Sequence, residues 1–270
     1  MSAVLAIALL SFKEGLRQRV LYGVMLAAVI LMSGGVLVSG FFLRDVAKVI
    51  LDFCLATVTL GGLTIPFFIA IHMLARDIER RTVFTLLSRP ISRVQYVIGK
   101  FTGLLLLTGL IMLLLSVCLG LALQGGEFLF GQRFFVQVSW LSIASALFLS
   151  WLSIMILNAF AVLWSTLTTS SFLATLLTLF SYVIGHFVDD VVRFLQANTS
   201  GVVVSWSIRT TVEVAQYLFP NLAAFDLKQA AAHGMAIPVV DVAILLAYAC
   251  AYIAVLLALA SMFFNKRDLV

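Results

Sequence analysis

Charge is scarce in this sequence: Asp, Glu, Lys and Arg make up 11% of its 270 residues, whereas 63% are hydrophobic. Ordinary soluble domains carry roughly a quarter charged and about half apolar residues. A soluble single-domain enzyme is therefore excluded, because its surface would need far more polar cover than this chain can supply. Proline and glycine are also few, at four and 17, which excludes collagen-like repeats, and the high hydrophobicity excludes a disordered chain. The three cysteines, Cys54, Cys118 and Cys250, are too few and too scattered for a disulfide scaffold or a four-ligand zinc site. Each falls in an apolar run and is expected to be a buried small hydrophobe. The net charge of +5 does not call for a nucleic-acid partner; its meaning lies in where the charges fall. What remains is a chain that needs lipid as its solvent.

About 20 helical residues cross the roughly 30 Å of hydrocarbon in a bilayer. Apolar stretches of that order, free of charge, occur six times, near residues 20–43, 53–75, 101–123, 138–164, 172–188 and 242–264. Helices are expected, since an isolated strand in lipid leaves its backbone groups unpaired, and the alternating pattern of a barrel is missing. The fifth span is the shortest. Before the first, residues 1–19 are apolar and then charged at Lys13, Glu14, Arg17 and Arg19, the reverse of a secretory signal. Leu5, Leu9, Phe12 and Leu16 follow one helical face, which predicts a helix lying in the interface.

Cytoplasmic loops hold an excess of Lys and Arg. With both termini inside, the inner side collects eleven of the 17 basic residues and four of the twelve acidic ones, giving net charges of +7 inside and −2 outside. Two connections are elaborate: the inner segment 76–100 and the outer stretch 189–241. The whole chain, 1–270, reads as a single transmembrane domain built on these parts.

The inner segment begins as a charged continuation of span two and becomes amphipathic through Ile78, Val83, Phe84, Leu86 and Leu87. It must stop before Pro90, whose ring forbids an interior helix position. Ser92 and Gln95 then have the capping-box spacing of a new helix that runs into span three. The result is a cytoplasmic helix–turn–helix that carries apolar groups below the membrane, suited either to headgroups or to a groove on a cytosolic partner.

Glu79-Arg80-Arg81-Thr82, followed by Thr85-Leu86-Leu87-Ser88-Arg89-Pro90-Ile91-Ser92-Arg93 and Gly99-Lys100, resembles the cytoplasmic signature of ABC-2 type transporter permeases. The outer Tyr217-Leu218-Phe219-Pro220-Asn221-Leu222 is also similar to some members. The resemblance implies an all-α polytopic fold with six spans, an N-terminal interfacial helix, a coupling helix between spans two and three and short outer helices between spans five and six. It further implies a separate ABC ATPase subunit that binds ATP and Mg, and a second permease copy, as a homodimer or with a paralogue. Coupling to the ATPase then falls to Arg76, Asp77, Ile78, Glu79, Arg80, Arg81, Thr82, Val83, Phe84, Leu86 and Leu87. The chain has no P-loop of its own, because Phe101 follows Gly99-Lys100 where Ser or Thr is needed and Val94 stands at the first Gly.

The predicted spans contain no Asp, Glu, Lys or Arg, whereas ion-coupled transporters mark their sites with such groups. This weakens a secondary transporter and favours an external motor, with a membrane scaffold that recruits a cytosolic partner as the remaining alternative. His186, Asp189 and Asp190 fall at i, i+3 and i+4 and offer the one hint of an intramembrane enzyme, although a solvated helix end explains them. Ile208, Val212, Ala215 and Phe219 share a face of an expected short outer helix. Gly99-x-x-x-Gly103 and Ala247-x-x-x-Ala251 are small-residue pairs of the kind that let helices approach. Pro66, beside Gly61-Gly62, and Asn158, deep in span four, are the pathway candidates. Together these readings describe a permease subunit of a bacterial cytoplasmic membrane, exporting an amphipathic or lipid-like substrate.

Overall fold

The computed structural model describes residues 3–42, 45–73, 92–136, 138–168, 170–197, 206–235 and 237–266. Among them are nine α-helices and no strand: α1 Ala3–Leu16, α2 Arg19–Ser39, α3 Val46–Thr64, α4 Arg93–Phe130, α5 Trp140–Leu167, α6 Ser171–Ala197, α7 Trp206–Leu218, α8 Lys228–Ala232 and α9 Val239–Lys266. A π-helical segment, Ile65–Ala70, continues α3. Six helices are long and apolar enough to cross a membrane, over Arg19–Ser39, Val46–Met73, Arg93–Phe130, Trp140–Leu167, Ser171–Leu195 and Val239–Lys266. Each overlaps one of the six apolar stretches read from the sequence.

Successive spans run in opposite directions, and α4 begins at the end of the bundle at which α9 finishes, where Arg93 meets Phe264 and Asn265; this end is called basal and the other distal. α5 is the hub. Of its most apolar stretch 78% is buried, against 11% for α9, because α5 packs on α3, α4, α6 and α9 together. Its Leu149, Ile156, Leu157 and Ala159 meet Leu104 and Leu107 of α4 and Cys54 and Val58 of α3 in one continuous apolar core.

Several helices run past their sequence-predicted limits. α4 has 38 residues, about 57 Å at 1.5 Å per residue, and so projects well beyond the hydrocarbon. α6 does not stop near residue 188 but runs to Ala197, because Asp189 and Arg193, four residues apart, pair at 2.7 Å on its surface. The outer stretch accordingly starts as helix rather than loop. In α1 the face that meets the protein is Ile7, Ala8, Ser11 and Gly15. Leu5 and Leu9 point outward, whereas Phe12 and Leu16 pack partly buried against the core, so the apolar face read from the sequence is shared between the bundle and its surroundings. Cys250 is likewise exposed rather than buried; it sits on the outer arc of α9, where lipid and not protein supplies the apolar surroundings.

Between α6 and α9 the chain re-enters the bundle. α7 carries Val212, Ala215 and Phe219 half-buried, as its predicted face requires, and ends before the buried Pro220. The depth of the vertex is set by two tyrosines of α9. The Tyr252 hydroxyl donates to the Leu218 carbonyl at 2.6 Å, and the Asn221 N–H donates to the Tyr248 hydroxyl at 3.2 Å. Tyr252 lies about 20 Å along α9 from its distal end, so the vertex reaches the middle of the bundle. Non-helical backbone at that depth must be satisfied by protein, and here the Leu222 N–H also donates to the Gly185 carbonyl of α6 at 2.8 Å.

Candidate functional site

The coupling residues inferred from the sequence, Arg76, Asp77, Ile78, Glu79, Arg80, Arg81, Thr82, Val83, Phe84, Leu86 and Leu87, lie outside the described residues. The start of α4, which follows that segment in the chain, is described. α4 starts at the expected capping box: the Gln95 N–H donates to Ser92 Oγ at 3.2 Å and the Ser92 N–H to Gln95 Oε1 at 3.1 Å. The next residue, Arg93, donates from Nη1 to the carbonyls of Phe264 and Asn265 at 3.0 and 3.1 Å. A guanidinium there satisfies free carbonyls at the last turn of α9 and complements its dipole. Tyr96 and Phe264 stack beside it with centroids 5.6 Å apart.

One turn on, α4 is bound to α1. Gly99 and Gly103 form the contact: a Cβ at Gly103 would stand 2.7 Å from the Ala8 carbonyl oxygen, and one at Gly99 2.8 Å from Ile7. The G-x-x-x-G spacing thus marks a helix crossing at backbone distance. Lys100, only 3% exposed, meets Glu14 of α1 at 3.6 Å and lies over the Tyr96 ring. The described basal frame is therefore one tied unit of α1, α4 and the end of α9.

The two pathway candidates occupy different settings. Pro66 is buried in the π segment, where widened helical turns absorb its missing N–H; the adjacent Phe67 packs edge-on against Tyr182 of α6 at 6.1 Å. Asn158 is 0% exposed and donates from Nδ2 to Thr108 Oγ1 of α4 at 3.0 Å, while its Oδ1 has no partner among the described residues. That bond holds α5 on α4. Many other hydroxyls in the spans bond their own helix, as Thr57 does to the Phe53 carbonyl and Thr178 to that of Ala174, so the weak polarity of the spans is largely turned inward.

At the distal end, the re-entrant segment closes a polar vestibule of about 590 Å³ against α6, lined by His186, Asp189, Asp190, Arg193, Asn221 and Asp226. It adjoins a water-sized space walled by Thr59, Ser150, Ser153 and Tyr182. His186 is therefore not at a bare helix end, as its position in the sequence suggested: it is stacked on Tyr182 at 5.7 Å, because α6 continues past it and residues 219–229 fold back on it. Ion pairs hold the charges here, Arg193 with Asp189, and Lys228 with Asp226 at 3.1 Å. Among the described residues no group of three or more His, Cys, Asp or Glu is placed to hold a metal.

Beneath the re-entrant vertex, toward the basal end, an apolar groove of about 460 Å³ opens between α5 and α9. Sequence reasoning passed over the residues that build these two spaces, Gly185, Tyr248 and Tyr252. The i, i+4 tyrosine pair in an otherwise aliphatic span was the available signal, since buried hydroxyls require partners.

No curated protein matches the chain. The family model described as "ABC-2 family transporter protein" matches residues 5–269. Six apolar helices, a capped 38-residue helix resuming after the basal connection and a re-entrant pair before the last span are thus found in a chain that belongs to the ABC-2 transporter family, a multi-pass membrane transport component rather than a catalytic enzyme.

Proposed function

We propose that the chain, as one transmembrane domain, is the permease subunit of an ATP-driven exporter in a bacterial cytoplasmic membrane. Its basal end is cytoplasmic, with both termini there. A separate ABC ATPase binds ATP and Mg and docks on residues 76–87, and a second permease copy completes the pathway. The observation that carries this reading is the basal frame. Residues 74–91 connect α3 to α4, and the start of α4 is fastened to α9 through Arg93 and to α1 through Lys100 and the two glycines. A push delivered there cannot be absorbed locally and must move packed helices, α4 among them. The π segment at Pro66, which can change its turn, and the Asn158–Thr108 contact are where that movement would reach the pathway.

A second copy is supported by α6. Leu173, Phe180, Phe187 and Phe194 recur every seven residues and all are exposed, with Val183 between them, while Ala174, Thr178, Ser181 and Val188 face the bundle. A seven-residue apolar repeat on a helix face is the pattern by which two helices pack along each other.

Co-purification tests the docking. Phe84→Ala removes an aromatic anchor of the kind that costs over ~2 kcal/mol at an interface centre, about thirtyfold in partner affinity, and Leu87→Asp places a charge on the same face. Both variants are expected to remain monodisperse and to lose the ATPase. Retention of the ATPase by both overturns the docking role, and a bound partner without ATP-dependent transport turns the reading toward a scaffold.

A further inference from the structure

α7 has 13 residues, about 20 Å of helix, in a slot that must cross about 30 Å of hydrocarbon. It therefore fills only the distal part of the slot over α5, and the basal part forms the groove of about 460 Å³, a volume in the range of small-ligand sites. Leu218 and Phe219 roof it, Phe160 and Trp164 form its floor, and Val255 and Leu259 form its side. Several of its polar groups are already engaged: the Tyr252 hydroxyl donates to Leu218, Trp164 Nε1 donates to Ser181 Oγ at 3.0 Å, and the Tyr248 hydroxyl accepts from the Asn221 N–H. Water would gain few partners against these mostly apolar walls, and an empty slot would forfeit their dispersion contacts. At this depth a sideways opening meets hydrocarbon. Leu259 is about 10 Å along α9 from Lys266, whose exposed ammonium stands where headgroups lie.

We propose that this groove holds one acyl chain of a glycerophospholipid from the basal leaflet, with the lipid phosphate at Lys266. The assignment does not depend on which side of the membrane the basal end occupies. A lipid chain is favoured over a second copy because α9 is exposed on a broad arc, through Val240, Ile244, Leu246, Leu259 and Phe263, rather than along a seam such as that of α6.

The test uses the full chain in nanodiscs containing a phosphatidylglycerol with a diazirine near the end of one chain. Photolabelling is expected on residues 160–164 and 252–259 in excess of the exposed Leu113 and Val117 of α4, by about fivefold, the factor that ~1 kcal/mol of packing gives. Ala251→Trp and Leu259→Trp each put an indole into the groove and are expected to remove that excess while α4 labelling is unchanged. Lys266→Gln is expected to lower groove labelling, and Lys48→Gln at the distal end to leave it alone. Equal labelling of groove and α4 in the unaltered protein overturns the proposal even if the tryptophan variants do not fold. So does groove labelling that survives in both of them, or a Val255→Cys variant that forms disulfide-linked dimers.

Discussion

A methyl group at Gly185 would stand 2.7 Å from the Pro220 carbonyl oxygen and 3.0 Å from the Leu222 side chain. The obstacle includes backbone, so it cannot swing aside, and the Leu222 N–H is held to the Gly185 carbonyl. Gly185→Ala is therefore expected to destabilise by about 1–3 kcal/mol, the usual cost of overpacking. Gly120, in α4, has nothing within 4 Å of its virtual Cβ, and Gly120→Ala should stabilise by roughly 0.5–1 kcal/mol through helix propensity alone. Thermal unfolding of the two variants in one detergent checks the contrast. Equal melting temperatures would mean that the vertex is not seated on α6. Lys100 and Glu14 make a second residue-scale case, because Lys100 is buried and Glu14 only half so. A double-mutant cycle with Lys100→Met and Glu14→Gln is expected to give a coupling of about 1 kcal/mol, within the range for residues in contact. A value near zero would remove this pair from the ties between α1 and α4.

At the scale of elements, the re-entrant α7 depends on few bonds. Tyr252→Phe keeps the ring in its tilted contact with Phe160 but leaves the Leu218 carbonyl without its 2.6 Å donor. Intramembrane hydrogen bonds average roughly 0.6 kcal/mol and reach about 1.7, so a small loss of global stability is expected. Local opening should be larger, read as faster hydrogen exchange over 206–222 with exchange in α5 unchanged. Unchanged exchange in 206–222 would show that the vertex is held by packing alone. What the sequence disclosed follows the same division. Long apolar runs, the Ser92–Gln95 cap and the face Val212, Ala215, Phe219 were legible because each is local and periodic. The depth of the vertex was not, since it rests on Tyr248 and Tyr252, 27 and 34 residues away from their partners. The extent of α6 was hidden by its charged end, where Asp189 and Arg193 look like loop residues until the i, i+4 pair is considered. Gly99 and Gly103 announced a helix crossing without naming α1 as the partner.

For the whole molecule, the +7 and −2 division of charge predicts that both termini are cytoplasmic. Cysteines introduced at Ser88 and Ser200, in a background lacking Cys54, Cys118 and Cys250, are expected to react with an impermeant reagent from opposite sides of the membrane. Labelling from one side only would end the six-span topology with inside termini. The proposed second copy is tested on α6. A second copy related by a two-fold axis along the membrane normal brings identical residues together, so the seam should join like to like. In the same background, single cysteines at Phe180 and at Phe187 are expected to form disulfide dimers under mild oxidation. Cysteines at Ser181 and Val188, which face the bundle, are expected to stay monomeric, because a disulfide needs Cα atoms within about 7 Å. The seven-residue spacing adds a further demand: reactivity should fall at Leu179 and Val191, which flank the seam, and recover at Leu173 one repeat away. Random collision in the bilayer has no such period, since it would cross-link exposed positions alike. Dimers formed equally from all of them would place the second copy on another face, and the groove beside α9 would then need testing as that face.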